Sequence, residues 1–477
     1  MTLELEKPLR FPDSGSGALM NKRARWLILF GFVLPGSAQL LAGNRKLGRV
    51  GLTATITLIV MLLAGLVGFM TSRENTIALL SRPIVLLVIQ VIVVLYAVLW
   101  LVLGFDTLRL TRIVKVTPGW RLPVAALSVV LTLLPAAGAA WAATAIQSAR
   151  GAISNIFVNQ APSVDPIDGR YNILLLGVDP GADREGMRPD SISLVSVDAK
   201  TGQSLIVGLP RELTEMPFPE DSPMYAIHPN GFCMGPNDFG PYGGCLTTGY
   251  LNALYAEVEV AQNPQFPDIY DGLYPDAREH GSSPGIEAIK DAVTGATGLQ
   301  VQFYVMINMD GFSSLIDALG GVTIDVPQDI PLGGYEDPRT GLWVDGDGMI
   351  PAGVQHLDGE YALLFARVRH GLANGDYDRM EHQRLLQAAI LAQMNPQNVL
   401  TNINGILESG SKAVQTDISQ SMLGSFVNLA LKAKNFDPVV VQFTPPAIDP
   451  EFPDYERAHQ MVAAGVAAAS PAPDSKR

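Results

Sequence analysis

Many common signatures of enzyme chemistry are missing from this chain. It has no P-loop, no H-E-x-x-H zinc pattern and no dinucleotide-binding glycine fingerprint, which removes the usual routes to nucleotide, zinc and NAD chemistry. Cysteine is nearly absent: the only two, Cys233 and Cys245, lie close together in Gly-Phe-Cys-Met-Gly-Pro-Asn-Asp-Phe-Gly-Pro-Tyr-Gly-Gly-Cys. With no histidine at ligand spacing beside them, they read as a disulfide in an exported loop rather than a metal site. Basic charge is also in short supply. The 477 residues hold 33 Lys+Arg against 46 Asp+Glu, a net −13, which argues against a nucleic-acid partner.

What charge and apolarity there are, the chain distributes unevenly. Mean hydropathy is +0.22, high for a soluble protein. Residues 1–150 carry 15 Lys+Arg against 5 Asp+Glu, whereas residues 151–477 carry 18 against 41. A basic, apolar front and an acidic back describe a membrane anchor carrying a solvated domain. Three stretches, about 50–70, 84–105 and 122–145, approach the ~20 residues that a bilayer needs. A fourth, 26–43, is shorter and is broken by Pro35-Gly36. Lys22, Arg23 and Arg25 precede it, Arg45, Lys46 and Arg49 follow it, and Arg109, Arg112, Lys115 and Arg121 lie between the last two spans. If basic loops stay cytoplasmic, 26–43 dips in and returns while the other three cross; the alternative is four full spans with an outside N-terminus. The expected order is then a cytoplasmic tail (1–25), an anchor (26–146), a polar linker (147–170), an extracytoplasmic domain (171–460) and a disordered tail (461–477). No cleavable signal peptide is read before the anchor. The spans carry almost no buried charge, so an anchor is expected rather than a transport path.

Within the acidic back half, the stretch Phe365 to Leu386 concentrates Arg367, Arg369, Arg379 and Arg384. Read as an extended segment, Arg367-Val-Arg369 puts both guanidiniums on one face. Arg379 and Gln383 are four apart on an expected helix, also on one face. Arginine forks converging in this way suit a multiply charged anion such as a phosphate. The same residues also suit ordinary salt bridges with nearby carboxylates.

The rest of that half reads as an α/β domain, a mixed sheet flanked by helices. Tyr171 to Val178 is a buried strand that delivers Asp179 to its end; Ser191 to Asp198 and Ser204 to Leu209 are the next two, joined by a turn. Their ends carry Asp179, Arg188, Asp190 and Arg211, and strand ends are where α/β ligand sites form. Helices are expected from about 249, over 285–297, 310–320, 358–366, 397–413 and 417–434. Strands are expected at 301–308, over Gly321 to Pro327 and at 438–443, and a Gly/Asp/Pro-rich loop over 327–353. Apolar runs in 301–320 and 385–394 are candidates to line a lipid groove, although core packing accounts for most of them.

Together these segments resemble the LytR-CpsA-Psr family of cell-wall enzymes. The residues that carry the resemblance are Leu174-Leu-Leu-Gly-Val-Asp179, Arg188-Pro-Asp190, Pro210-Arg211, Leu251-Asn252-Ala253, the run Leu315 to Pro327, His356-Leu-Asp-Gly359 with Ala366-Arg-Val-Arg369, and Asp376-Tyr-Asp-Arg379. Order and spacing are kept over about 171–395. The resemblance implies an α/β domain outside the membrane that transfers a glycopolymer from a polyprenyl-pyrophosphate carrier to peptidoglycan, forming a phosphodiester. It implies Mg²⁺ (or Mn²⁺) on Asp179 and Asp190, and catalytic roles for Asp190, Arg211, Arg367 and Arg369. Arg188, Asn252, Asp376, Arg379 and Gln383 would contact the pyrophosphate or lipid. The chemistry agrees: a departing diphosphate needs neutralising by a cation and arginines, and Mg²⁺ is content with one or two carboxylates and water. High Ala and Gly content suits a GC-rich genome and, with the four-part anchor, an actinobacterium, for which arabinogalactan is the favoured polymer.

Three departures stand out. The arginine usual after the first Asp motif is replaced by Pro180, the common P-R-D reads Pro210-Arg211-Glu212, and His382 stands where an arginine often precedes Gln383. Ser409-Gly-Ser-Lys412 and Lys200-Thr-Gly202 mimic penicillin-interacting motifs but in reversed order and without S-D-N. Asp345-Gly-Asp-Gly348 reads as a tight turn. Hydrolysis of the lipid pyrophosphate, and non-enzymatic scaffolding or lipid-phosphate binding, are the alternatives the sequence leaves open.

Overall fold

The structure, a computed structural model, describes residues 10, 12–80, 82–158, 163–178, 187–233, 249–260, 269–336, 339, 343–368, 376–393, 405–406, 409–410, 413–433 and 435–470. The chain divides into two units, Met1–Arg150 and Gly151–Arg477.

The first unit is helical: α1 (Gly17–Val33), α2 (Ser37–Ala42), α3 (Arg45–Thr71), α4 (Arg73–Leu80), α5 (Pro83–Thr111) and α6 (Pro118–Ile156). Three helical segments among the described residues, Arg45–Thr71, Pro83–Lys115 and Pro118–Ile156, are long and apolar enough to cross a membrane. α1 ends at Val33, and the six-residue α2 turns back from it after Pro35-Gly36. The turn requires glycine, because Gly36 has φ +98° and an added Cβ would sit 2.5 Å from the Leu52 backbone nitrogen. Gln39, fully buried, ties α2 to α5 by donating to the Leu103 carbonyl at 2.9 Å and to Thr107 Oγ1 at 3.1 Å.

The second unit is built on a six-stranded mixed sheet in the order β10-β3-β2-β1-β4-β9. Its strands are β1 (Arg170–Val178), β2 (Pro189–Asp198), β3 (Ser204–Leu209), β4 (Phe303–Asn308), β9 (Val414–Thr416) and β10 (Val439–Gln442). β1, β2 and β3 form an antiparallel meander; β4 runs parallel to β1 and β10 parallel to β3. Alternation along β1 sends Leu174, Leu176 and Val178 into the main core, joined there by Ile192 and Leu194 of β2 and Leu205, Val207 and Leu209 of β3. α7 (Pro223–Ile227), α8 (Leu254–Val260), α9 (Pro284–Thr297) and a C-terminal helix, Tyr455–Ala468, cover this face. α9 shows why such segments are helices: Ser283 caps its start, Pro284 opens it, and Gly298 at φ +71° closes it.

A second core gathers α10 (Met309–Leu319), α11 (Gly359–Arg367) and α12 (Asp376–Gln393) with β5 (Val322–Val326), β8 (Gly353–Leu357) and the hairpin β6 (Ile330–Glu336) and β7 (Trp343–Ile350). Ile316, Leu319, Leu385, Leu386 and Ile390, from the two apolar runs considered for a lipid groove, pack into this core.

Several expectations change here. The Gly/Asp/Pro-rich loop at 327–353 is a β-hairpin, anchored by the buried Ile330 and Ile350, which pair across its base. The linker expected at 147–170 is largely structured: α6 continues to Ile156, and Val158 bridges to Ser419. The tail expected to be disordered from 461 is helical to Ala468, because Asp454 caps the helix and Ala458, Val462 and Gly465 fall on one buried stripe. Arg367 does not lie in an extended segment. Asp358 caps α11 by accepting from the Tyr361 amide at 2.9 Å, and the helix runs through Arg367, so Arg367 takes a helical direction. Of the helix expected at 397–413, most lies outside the described residues.

Two buried polar groups set stability expectations. Lys290 of α9 bonds Glu287 and Asp417, each at 3.0 Å, and Asp417 also accepts from the Tyr304 amide at 2.9 Å. Burial alone would lower the Lys290 ammonium, but the two carboxylates outweigh it and hold it above its ordinary value. Asp417→Ala leaves Lys290 with Glu287 and the Tyr304 amide without this acceptor, and is expected to cost roughly 1–3 kcal/mol, seen as a lowered thermal midpoint. His228, 1% exposed, bonds the Tyr270 hydroxyl at 3.0 Å and packs against Phe232. Burial lowers its imidazole to about 4. The unfolded chain takes up that proton near pH 6.5 and the folded chain only near pH 4, so the contribution is complete above pH 6.5 and lost as pH falls through that window. Its full size is about 3 kcal/mol. His228→Gln should flatten the fall in thermal midpoint between pH 6.5 and 4 relative to the unaltered chain.

Candidate functional site

Register places the first two site residues. β2 and β3 are antiparallel with Ile192 opposite Leu209, so continuing two residues outward sets Asp190 against Arg211. The geometry is an ion pair: Arg211 Nη1 donates to Asp190 Oδ1 at 2.6 Å, with the two side chains only 14% and 12% exposed. Arg211 is braced through its backbone, since its carbonyl accepts from the Asn252 amide at 3.0 Å. Its other terminal nitrogen, Nη2, reaches Glu212 Oε1 at 2.9 Å. The longer arm of Glu212 in place of aspartate thus turns back onto its own neighbour, with its carboxylate on the solvent side.

α12 supplies the third member. Arg379, 3% exposed at its side chain, donates from Nη2 to the Asp190 carbonyl at 2.9 Å and places Nη1 3.8 Å from Asp190 Oδ1. One carboxylate therefore fixes two guanidiniums from separate elements. One helical turn on, Gln383 donates to the Ala366 carbonyl at 3.2 Å, holding the end of α11 that carries Arg367. His382, 2% exposed, lies 4.5 Å from the Phe365 ring, and burial keeps its imidazole below the ordinary value. A neutral ring thus packs where an arginine was the expected type.

Arg188 stands apart from this pair. It is exposed and pulls on Glu257 of α8, whose carboxyl burial pushes up. Asp179 follows Val178, the residue paired with Pro189, and lies outside the described residues, as do Arg369 and Cys245. Asp376 opens α12. Cys233 is disulfide-bonded, and the sequence contains one other cysteine, Cys245. Among the described residues no three His, Cys, Asp or Glu side chains gather as a metal cluster. Asp190 is a hard oxygen donor with a second carboxylate oxygen beyond the one paired to Arg211, and that suits a largely hydrated Mg²⁺.

A small cleft opens beside the two arginines, between α12 and the sheet. Besides Asp190, Arg211, Arg379 and Gln383, residues of β2, β3 and β10 line it. Sequence reading missed those sheet positions, Glu257 and the packing of His382. The serines of β2, alternating with core residues in Ser-Ile-Ser-Leu-Val, are the one signal that pointed to a polar sheet face.

Comparison with known proteins shows the family. The profile of the LytR_cpsA_psr family matches residues 142–447, and the chain belongs to the LytR-CpsA-Psr family. Among curated relatives it is similar to the cell wall biosynthesis protein LcpA of Corynebacterium glutamicum, 25% identical over 52% of this chain and 45% of that one. It is also 26% identical to the polyisoprenyl-teichoic acid–peptidoglycan teichoic acid transferase TagU of Oceanobacillus iheyensis, over 55% of this chain and 64% of the relative. The chain spans about half the length of the curated relatives it matches. Among solved structures, TagV of Bacillus subtilis aligns with a TM-score of 0.42 at 19% identity, covering 64% of this chain and 100% of that one.

Proposed function

We propose that this chain is a membrane-anchored transferase that moves a glycopolymer, arabinogalactan or teichoic-acid-like, from a polyprenyl-pyrophosphate carrier to peptidoglycan. The observation that carries the reading is the pair Arg211 and Arg379, organised by Asp190 at the mouth of a cleft. Family membership supports the same chemistry, and relatives such as TagU are named as peptidoglycan teichoic acid transferases.

In this reading the diphosphate settles against Arg211 and Arg379, with Arg367 and Arg369 from the end of α11 and the segment after it completing the arginine set. Glu212 swings off Arg211 towards solvent as the phosphate arrives. An acceptor hydroxyl on peptidoglycan forms a new O–P bond to the phosphorus that bears the polymer, and the bridging P–O bond breaks. Polyprenyl phosphate leaves with that bridging oxygen, and the hydroxyl proton passes to a carboxylate at the centre, for which Asp190 is the candidate. Guanidiniums suit this step because charge builds on the bridging oxygen as it leaves. Asp179 and Asp190 would hold Mg²⁺ (or Mn²⁺), which when bound neutralises part of the diphosphate charge. The three apolar helices anchor the chain, and their basic loops, kept cytoplasmic, put the second unit outside.

The test is reconstitution of the full chain in detergent with a polyprenyl-diphosphate saccharide and peptidoglycan. Acceptor-dependent release of polyprenyl phosphate, matched by a phosphodiester-linked product, is expected. Equal release without acceptor would make the chain a hydrolase. No release at all would leave only lipid-phosphate binding or scaffolding.

A further inference from the structure

The first unit gathers cations at one end with no acidic counterpart in the same segments. No Asp or Glu lies between Asp13 and Glu74, or between Asp106 and Asp165, so α1, α2, α3 and the turn from α5 to α6 carry basic charge alone. Side-chain bonds collect that charge. Asn21 of α1 donates from Nδ2 to Thr117 Oγ1 at 2.8 Å and accepts at Oδ1 from the Thr117 amide at 3.1 Å. Arg23, 4% exposed, donates to the Leu110 carbonyl at 2.6 Å. Arg121 donates to the Val116 and Val114 carbonyls, each at 2.9 Å. The start of α1 is thus fastened to residues 110–121, which brings Lys22 and Arg25 to the same end as Arg112 and Lys115. All four are exposed, and among the described residues none of them forms an ion pair.

A run of charge is ordinarily a solvated face. What sets this one apart is the groove beneath it, between α1, α5 and α6, whose lining includes Ile28, Phe32, Trp100, Leu103 and Leu131. Ile28 comes three residues after Arg25, and Ser128, also in the lining, seven after Arg121. At 1.5 Å per residue the cations stand about 5–10 Å above the groove. The threonines that line it have spent their hydroxyls on their own helices. Thr107 Oγ1 donates to the Leu103 carbonyl and Thr132 Oγ1 to the Ser128 carbonyl, each at 2.7 Å. The groove therefore offers a ligand mainly methyl, aliphatic and aromatic surface. Trp26 and Trp120 are exposed at the level of the cations, and the Arg25 guanidinium lies 5.2 Å from the centroid of the Trp120 ring. Indoles and cations together at helix ends mark the depth of lipid headgroups.

We propose that this end of the first unit binds an anionic phospholipid, its phosphate among Arg25, Lys115 and the neighbouring cations and an acyl chain in the α1–α5–α6 groove. Charge complementarity selects the occupant. A neutral lipid fills the groove but gains nothing from the cations, and an acidic protein segment meets the cations but leaves the groove empty. An anionic lipid satisfies both and holds α1 against α5 and α6. The site shares no residue with the diphosphate centre, so it stands or falls separately from the proposed transfer reaction.

The experiment is native mass spectrometry of the full chain in detergent, titrated in turn with dioleoyl phosphatidylglycerol and dioleoyl phosphatidylcholine. The unaltered chain should bind phosphatidylglycerol about thirtyfold more tightly, the combined value of two cations at a membrane surface. Arg25→Gln/Lys115→Gln should erase that preference. Arg45→Gln/Lys46→Gln, which removes the same charge from the start of α3, should keep it. Ser128→Phe, which fills the groove, should weaken both lipids. Each variant is read beside its thermal midpoint, and if Ser128→Phe does not fold the two charge pairs still decide. Equal affinity of the unaltered chain for the two lipids overturns the proposal. So does an equal loss in both charge pairs, which would make the attraction diffuse, or a folded Ser128→Phe chain that binds phosphatidylglycerol as before. Binding of a poly-glutamate peptide in place of either lipid would make the patch a protein-docking surface and overturn the lipid site.

Discussion

Arg211→Ala lowers acceptor-dependent turnover by about 10²–10³-fold, the usual cost of removing one aimed donor from a site where charge develops. The structure explains why the loss should fall on chemistry rather than folding. Arg211 lies just past the end of β3, its backbone is tied to Asn252, and its guanidinium donates to Asp190 and Glu212 at the edge of the cleft. Truncation leaves Asp190 with Arg379 still beside it, so the thermal midpoint should move little. Arg211→Lys should recover only part of the rate. An ammonium keeps the charge but cannot hold Asp190 and a phosphate oxygen in one planar fork.

Asp190→Ala should damage both turnover and stability. Arg379 is 3% exposed, and its Nη1 lies 3.8 Å from Asp190 Oδ1. Removing that carboxylate takes away the Arg211 acceptor and a negative charge beside Arg379, whose bond to the Asp190 carbonyl remains, at roughly 1–3 kcal/mol, and frees Arg211 to drift. The two effects can be separated. Asp190→Asn keeps an oxygen acceptor for Arg211 but not the charge, so part of the stability returns while turnover stays low. The measurement is a thermal midpoint beside a transfer rate for each variant. If Asp190→Ala keeps full turnover, Asp190 organises nothing.

Which parts of this molecule could be read in advance follows from where each signal resides. β1, β2 and β3 were legible within one or two residues because a sheet with one buried face writes a period of two into the chain, as in Ser-Ile-Ser-Leu-Val. α9 and α10 were legible from their caps and stripes. The hairpin β6–β7 was not, because the Gly, Asp and Pro interspersed among its apolar residues look like turn chemistry. The C-terminal helix was hidden by its composition: an Ala/Gly stripe can be buried as well as a Leu stripe, but only where another element comes close. Arg367 was not legible because the alternation in Arg367-Val-Arg369 hides that the helix capped at Asp358 runs through Arg367. Asp190 and Arg211 were individually visible as strand-end residues. Their pairing follows from register, a tertiary property, as do the placing of Arg188 near Glu257 and of His382 against Phe365.

The central claim is that the Asp190-organised arginines hold a lipid-linked diphosphate. The most direct measurement is mass spectrometry of the lipids that co-purify with the full chain, compared with those of Arg211→Ala. A polyprenyl phosphate or diphosphate present on the unaltered chain and absent from the variant is the predicted result. Equal amounts of that lipid on both proteins, or an unaltered chain that neither carries nor takes up polyprenyl diphosphate when it is added, would contradict it.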